Sequence, residues 1–240
     1  MFGTNYTGGI NDYRSAEDIN SAMARVYGHM SMAVLVSMLV SYFVGTSPEL
    51  LQFFFTGVMK WIVIFAPLVA IFAFAFASDN FNKSQLQLFL HGFAALMGLS
   101  MATIFAIFTM GSIVSAFMGA AILFGTMRFY GYFTKRSLDS LGKFMFVGLI
   151  AIIIASIVNI FIGSTVMQMV ISALAIIIFL GLTAYDTQKI REAVSVDGDT
   201  GREEVSYDTN DAVEVRGALT LYMDFINLFI NLLQLFGDRK

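Results

Sequence analysis

Cysteine, proline and charged residues are all scarce in this sequence. Among its 240 residues there is no cysteine, there are two prolines, and only 13% are charged. Without cysteine the chain has no disulfide framework, no thiolate metal ligand and no thiol nucleophile. So few charged side chains cannot coat a water-soluble domain in which 58% of residues are hydrophobic. The composition therefore excludes a soluble enzyme, and we expect neither enzymatic activity nor a cofactor.

The sequence instead contains seven long apolar runs. They cover residues 26–44, 58–77, 86–108, 113–133, 144–162, 166–185 and 217–236. Each is roughly the 20 residues that cross the hydrocarbon core of a bilayer as a helix. Because the runs are continuous rather than alternating, they exclude a β-barrel. The sequence therefore predicts an all-α integral membrane protein with about seven transmembrane helices.

The basic residues predict how these segments cross the membrane. Residues 1–25 form an N-terminal arm, residues 26–236 the transmembrane domain with an acidic loop at 187–216, and residues 237–240 a short tail. Seven crossings place eleven of the 14 Lys and Arg residues on the side of the N-terminus and three opposite. Since Lys and Arg gather in cytoplasmic loops, we expect a cytoplasmic N-terminus. If the seventh segment were re-entrant, thirteen Lys and Arg residues would lie on the side of the N-terminus and one opposite. The distribution of basic residues therefore leaves that alternative open.

Two acidic residues lie inside the apolar runs. Of the 17 acidic residues, fifteen fall in the arm, the loops or the tail, and the other two are Asp186 and Asp224. Ionised carboxylates at such positions cost a few kcal/mol, so they should face protein or water and find partners. The sixth and seventh helices run antiparallel and both acids lie near their cytoplasmic ends. We therefore expect the two carboxyl groups to meet.

A carboxylate pair in low dielectric predicts a proton-controlled cation site. The two groups cannot both ionise cheaply, so they share a proton whose occupancy follows the ambient pH. When that proton leaves, repulsion either separates the helices or recruits a cation. Two carboxylates supplemented by amide, carbonyl and water oxygens suit Ca²⁺. Asp186 and Asp224 are thus candidate pH-sensing, gating and Ca²⁺-binding residues, and Asn227 offers a further oxygen.

The seventh run also carries a polar stripe. Thr220, Asp224, Asn227, Asn231 and Gln234 follow spacings of 4, 3, 4 and 3, which places them on one helical face. Such a face cannot point at lipid, so the seventh helix should pack centrally and turn its stripe toward other helices or a wet cavity. Thr220, Asn227, Asn231 and Gln234 are candidate pore-lining residues. Interhelical hydrogen bonding without conduction is the alternative.

Small residues predict close helix packing elsewhere. Gly111, Ser115 and Gly119 recur every four residues at the start of the fourth helix. This spacing favours close approach of a neighbouring backbone.

The two aspartate segments resemble those of the Bax inhibitor-1 (transmembrane Bax inhibitor motif) family, especially its short bacterial members. The segments are Gly-Leu-Thr-Ala-Tyr-Asp-Thr-Gln-Lys-Ile at 181–190 and Gly-Ala-Leu-Thr-Leu-Tyr-Met-Asp-Phe-Ile-Asn-Leu-Phe at 217–229. The resemblance implies six helices packed around a central C-terminal seventh. It also implies a pH-sensitive Ca²⁺ leak in a bacterial inner membrane, with Asp186 and Asp224 as the paired carboxylates and Ca²⁺ as the transported ion. One departure is Phe76, Ala77 and Ser78, where some bacterial relatives carry an arginine that can pair with the aspartates.

Two other functions use similar features. Tyr185-Asp186 matches the first motif of intramembrane aspartyl proteases, but Tyr222-Met223-Asp224 stands where their Gly-x-Gly-Asp motif is needed. The other alternative is a non-conducting regulator whose partners are membrane proteases or translocation machinery, as some bacterial relatives are thought to be. No nucleic-acid partner is expected.

Overall fold

The computed structural model describes residues 15–77, 81–195 and 208–240. Nine helices occupy these ranges: α1 (Ala16–Gly45), α2 (Pro48–Phe55), α3 (Met59–Ala77), α4 (Lys83–Ser100), α5 (Ile104–Ile107), α6 (Met110–Phe133), α7 (Asp139–Ile162), α8 (Thr165–Ser195) and α9 (Asp208–Phe236). Seven helical segments within them are long and apolar enough to cross a membrane. This confirms the predicted all-α membrane fold. Residues 1–14 of the predicted arm and 196–207 of the predicted acidic loop lie outside the described residues.

Capping residues set where several helices begin and end. Ser15 caps α1, since its hydroxyl accepts a hydrogen bond from the Asp18 backbone N–H at 3.1 Å. At the start of α4, Asn82 and Gln85 each accept a hydrogen bond from the other's backbone N–H at 2.9 Å. Helix α7 ends at Gly163, whose φ of 69° is a left-handed conformation that favours glycine.

Helix bounds differ from the apolar runs at three places. The third run is interrupted between Ser100 and Ile104, so that α4 and α5 together form one span. Helix α8 continues to Ser195 and α9 begins at Asp208, so both helices extend into the predicted 187–216 loop. An apolar run marks only the hydrocarbon depth, and helices continue beyond it where polar side chains find partners.

Helix α9 is the central helix of the bundle. It packs against α8, α6, α1 and α4, whereas α3 packs mainly on α4 and α2, and α7 mainly on α8. Several of the largest fully buried side chains belong to it, namely Leu221, Tyr222, Leu228 and Leu233. The prediction of a central seventh helix is therefore confirmed, with α3 and α7 forming the outer positions.

Helix α9 crosses the whole bundle rather than turning back. At the end where α1 begins, here called the proximal end, Arg25 donates two hydrogen bonds to Glu214, at 2.7 and 2.8 Å. At the opposite, distal end the C-terminal tail lies against the α5–α6 junction. There the Asp238 carbonyl accepts from the Thr109 backbone N–H at 3.0 Å. These contacts at opposite ends decide the question that charge left open, in favour of a spanning segment.

Single cysteines test which end faces the cytoplasm, because the native chain has none. We expect Lys135→Cys, at the proximal end, to resist an impermeant thiol reagent added outside intact cells. Thr56→Cys, in the distal α2–α3 connection, should react under the same conditions. The opposite pattern would reverse the orientation predicted from the basic residues.

Candidate functional site

The structure brings Asp186 and Asp224 together between α8 and α9. The two carboxyl groups interact directly with each other near the proximal end. Asp224 is 4% exposed and Asp186 is half-buried. Their roles in gating and ion binding stay predictions, but the geometric condition for both roles is met.

Small residues around the pair set its position. A Cβ on Gly131 of α6 would lie 2.9 Å from both the carbonyl carbon and the Cα of Ala184, two residues before Asp186. A Cβ on Gly217 of α9 would lie 2.9 Å from the Ile190 side chain of α8. Both distances are too short for ordinary packing. Glycine is required at Gly131, where the neighbour is backbone, whereas at Gly217 the Ile190 side chain would have to shift. Close approach of α6 and α9 to α8 thus fixes where Asp186 stands.

No cation neutralises the pair within the part of the chain that the structure describes. The Asp224 Oδ2 atom is buried and has no hydrogen-bond donor there. The nearby Lys189 points away, because its ammonium group pairs with Asp139 and Glu192, each at 2.8 Å. A buried carboxylate without a donor is costly when ionised, so the site favours binding a proton or a cation from solution.

The stripe residues of α9 leave acceptor oxygens available along the helix. The Asn227 side-chain amide donates to the Met223 carbonyl, and Asn231 donates to the Asn227 carbonyl, both at 2.8 Å. Each side chain therefore uses its N–H on its own helix and keeps its amide oxygen as an acceptor. Both asparagines are half-buried, and Thr220 at the proximal end is exposed. The stripe thus opens to the surroundings beside the aspartate pair.

Gln234 ends the stripe in an interhelical network. Its amide oxygen accepts from Gln168 at 2.6 Å and from Ser172 at 3.1 Å, both on α8. Asn159 of α7 in turn donates to Gln168 at 3.3 Å. These partners were not predicted, although polar residues within the fifth and sixth apolar runs were a visible signal. Any path along the stripe meets this network at the distal end.

Glu214 is a second feature that sequence reasoning missed. It was counted with the acids of the 187–216 loop, whereas the structure places it 2% exposed in α9 and bound to Arg25 of α1. The ion pair fastens the proximal end of the central helix. Its only sequence signal was its helical spacing from Ala218 and Leu221.

The pair alone offers two carboxylate ligands to a metal ion. Among the described residues there is no group of three or more His, Cys, Asp or Glu side chains suited to hold one. A Ca²⁺ ion takes six to eight oxygens, so amide, carbonyl and water oxygens would complete its coordination. Asn227, one turn from Asp224, is placed to supply one.

The small residues of α6 do not make the predicted close approach. A Cβ on Gly111 would meet nothing within 4 Å, and one on Gly119 would lie 3.8 Å from Leu232, an ordinary contact. These residues line a cavity of about 420 Å³ at the distal end. The prediction was wrong because the tight crossing of α6 lies at its other end, at Gly131.

Fold and site together define a multi-pass α-helical membrane protein with an intramembrane carboxylate pair on its central helix. Residues 19–240 match the family model described as Inhibitor of apoptosis-promoting Bax1. The chain therefore belongs to the Bax inhibitor-1 family, which confirms the resemblance noted from its two aspartate segments.

Curated bacterial proteins are similar over nearly the whole chain. Inner membrane protein YbhL of Escherichia coli (strain K12) is 35% identical over 225 residues, which cover 92% of this chain and 93% of that protein. YrjE of Lactococcus lactis is 35% identical over 95% of this chain and 94% of its own length. A protein of Rickettsia prowazekii is 34% identical, with coverage of 93% and 92%. The chain is thus an integral multi-pass membrane protein, and the similarity to YbhL supports a bacterial inner membrane as its location.

Proposed function

We propose that this protein is a pH-sensitive cation leak channel, with Ca²⁺ as the transported ion and Asp186 and Asp224 as its gate. The observation that carries the proposal is the interaction between the buried carboxyl group of Asp224 and the half-buried one of Asp186, which no described cation neutralises. A purely structural pair would be expected to have a counter-ion or donors for both oxygens. A carboxylate pair without a counter-ion in the protein can be neutralised only by a proton or a cation from solution, so it is suited to respond to both.

The shared proton closes the site at low pH. An O–H···O⁻ hydrogen bond between the carboxyls draws α8 and α9 together, and such bonds are short and strong. It also leaves the pair with a single negative charge. A divalent cation then gains little by entering.

Loss of that proton opens the site. Two unit charges 4 Å apart repel by about 4 kcal/mol at an effective dielectric constant of about 20. Either the helices separate or a cation enters between the carboxylates, and Ca²⁺ satisfies both charges at once. Cation occupancy and flux therefore rise with pH.

The asparagines of the stripe continue the path beyond the pair. Asn227 and Asn231 lie one and two turns further along α9, and their amide oxygens are free to face a passing ion. At the distal end, conduction requires the Gln234–Gln168 hydrogen bond to rearrange. This network is a second constriction, distinct from the proton-controlled one.

Reconstitution tests the proposal without other proteins. Liposomes that contain only this chain and an internal Ca²⁺ indicator are exposed to external Ca²⁺ across roughly pH 6 to 8, the window in which a coupled buried pair would titrate. We expect Ca²⁺ entry above that of protein-free liposomes, and entry that increases toward pH 8. Correctly folded protein that passes no Ca²⁺ at any pH would contradict the proposal. It would leave the alternative of a non-conducting regulator of membrane proteases or translocation machinery.

A further inference from the structure

A groove runs down the side of the bundle between α1 and α6. Both helices pack on α9 but make little backbone contact with each other. Three cavities of about 320, 430 and 300 Å³ lie between them in succession. Neighbouring cavities share lining residues, Tyr27 and Arg128 for the first two, and Phe117 and Phe225 for the last two. The three cavities thus follow one another along the side of the bundle, with the Tyr27–Arg128 contact between the first two. Together they are here called the α1–α6 groove.

The groove has a cation at its proximal end. Arg128 of α6 is half-buried, and its guanidinium carbon lies 3.2 Å from the centre of the Tyr27 ring of α1. No described carboxylate lies within ion-pair distance of it. The contact with Tyr27 engages part of the guanidinium. A guanidinium has five N–H donors, and those left over can bind an oxyanion bidentately.

The rest of the groove is apolar and has the length of one leaflet. Phe117 and Arg128 are eleven residues apart on α6, or about 16 Å at 1.5 Å per residue. Half of a hydrocarbon core of about 30 Å is about 15 Å. Between these two residues, Gly125 leaves open space, because a Cβ there would meet nothing within 4 Å. The floor of the groove includes Phe225 of α9, whose ring packs edge-on against Phe117.

We propose that the α1–α6 groove binds an anionic phospholipid of the proximal leaflet. Its phosphate binds the Arg128 guanidinium, and one acyl chain lies along Gly125 to reach Phe117 and Phe225. The site would place a lipid chain against the residue that follows Asp224 on the central helix. The proposal does not depend on cation conduction, because it rests on the groove and its charge alone.

Lipid competition tests the site on the full chain. Delipidated protein in detergent is given equal amounts of phosphatidylglycerol and phosphatidylcholine with the same acyl chains, and bound lipid is counted by native mass spectrometry. Both lipids carry the phosphate, but the choline cation of phosphatidylcholine offsets its charge and is repelled by Arg128. We therefore expect the wild type to retain phosphatidylglycerol about tenfold better, the size of one charge-assisted contact. Arg128→Gln should bring that ratio close to one. Lys135→Gln, which removes an exposed cation of the same end outside the groove, should retain the wild-type ratio.

Filling the groove separates an acyl-chain site from general surface charge. Gly125→Leu should reduce retention of both lipids, since its side chain enters the open space, and Ala121→Leu provides a second blocking variant if the first fails to fold. Arg128→Gln with unchanged preference, or Lys135→Gln with an equal loss, would overturn the site. A blocking variant that dissociates an oligomer without altering lipid retention would also overturn it, because the groove would then hold a second copy of the chain.

Discussion

Gly131→Ala is expected to lower the free energy of unfolding by about 3 kcal/mol, the upper part of the usual range for overpacking. The added Cβ would fall on the Ala184 backbone, 2.9 Å from its carbonyl carbon and its Cα. Backbone atoms of a packed helix cannot rotate out of the way as a flexible side chain can. Relief therefore requires α6 and α8 to move apart. The measurement is thermal unfolding of the purified protein in detergent.

Gly111→Ala is the matched control on the same helix. No heavy atom lies within 4 Å of its added Cβ, so its unfolding temperature should stay at or slightly above that of the wild type. Because Ala184 lies two residues before Asp186, Gly131→Ala should also disturb the carboxylate pair. Equal stability of the two variants would show that α6 and α8 do not cross as closely as the structure has them.

Two sets of substitutions on α9 should separate transport from stability. Leu228 is fully buried, and Leu228→Ala is expected to cost about 2–5 kcal/mol through lost contacts and a residual cavity. Asn227→Leu and Asn231→Leu should instead reduce Ca²⁺ flux in liposomes while leaving thermal stability equal or improved. Each substitution removes an amide oxygen that the proposed path would use, and the only hydrogen bond it removes is one to a carbonyl of the same helix. Flux and unfolding temperature are measured for all three variants.

The reverse outcome would reassign the stripe. If leucine at Asn227 and Asn231 leaves flux unchanged and destabilises the protein, these side chains serve interhelical packing. Ions would then travel elsewhere, if they travel at all.

The central position of α9 and the meeting of its acid with α8 were predictable from sequence. A polar stripe cannot face lipid, so Asn227 and Asn231 already required neighbours on that side of the helix. Asp186 and Asp224 lie at matching depths on antiparallel helices, and since neither carboxyl group can face lipid, both were expected between the two helices. In both cases the free-energy cost of exposing a polar side chain to lipid is larger than any local conformational preference of the chain that opposes burial.

The rest could not be read from apolar runs, because it depends on pairwise contacts. The first turns of α9 lie outside its apolar run and are held by the Arg25–Glu214 ion pair, which joins residues 189 apart in sequence. Likewise, Gln234 looked like a pore-lining residue, and only the positions of Gln168 and Ser172 show that it is hydrogen-bonded. The path of the seventh segment was ambiguous by charge, and the contact between the tail and Thr109 decides it.

The pH profile of Ca²⁺ flux through the aspartate variants tests the central claim most directly. Asp186→Asn and Asp224→Asn each remove one ionisable group from the pair while keeping its size. The control is Glu17→Gln, which removes an exposed acid in the first turn of α1, at the same end but outside the site. In liposomes across roughly pH 6 to 8, wild type and control should show flux that rises with pH, and both site variants should lose most of that dependence. Flux that titrates normally in both site variants would remove the pair from the mechanism.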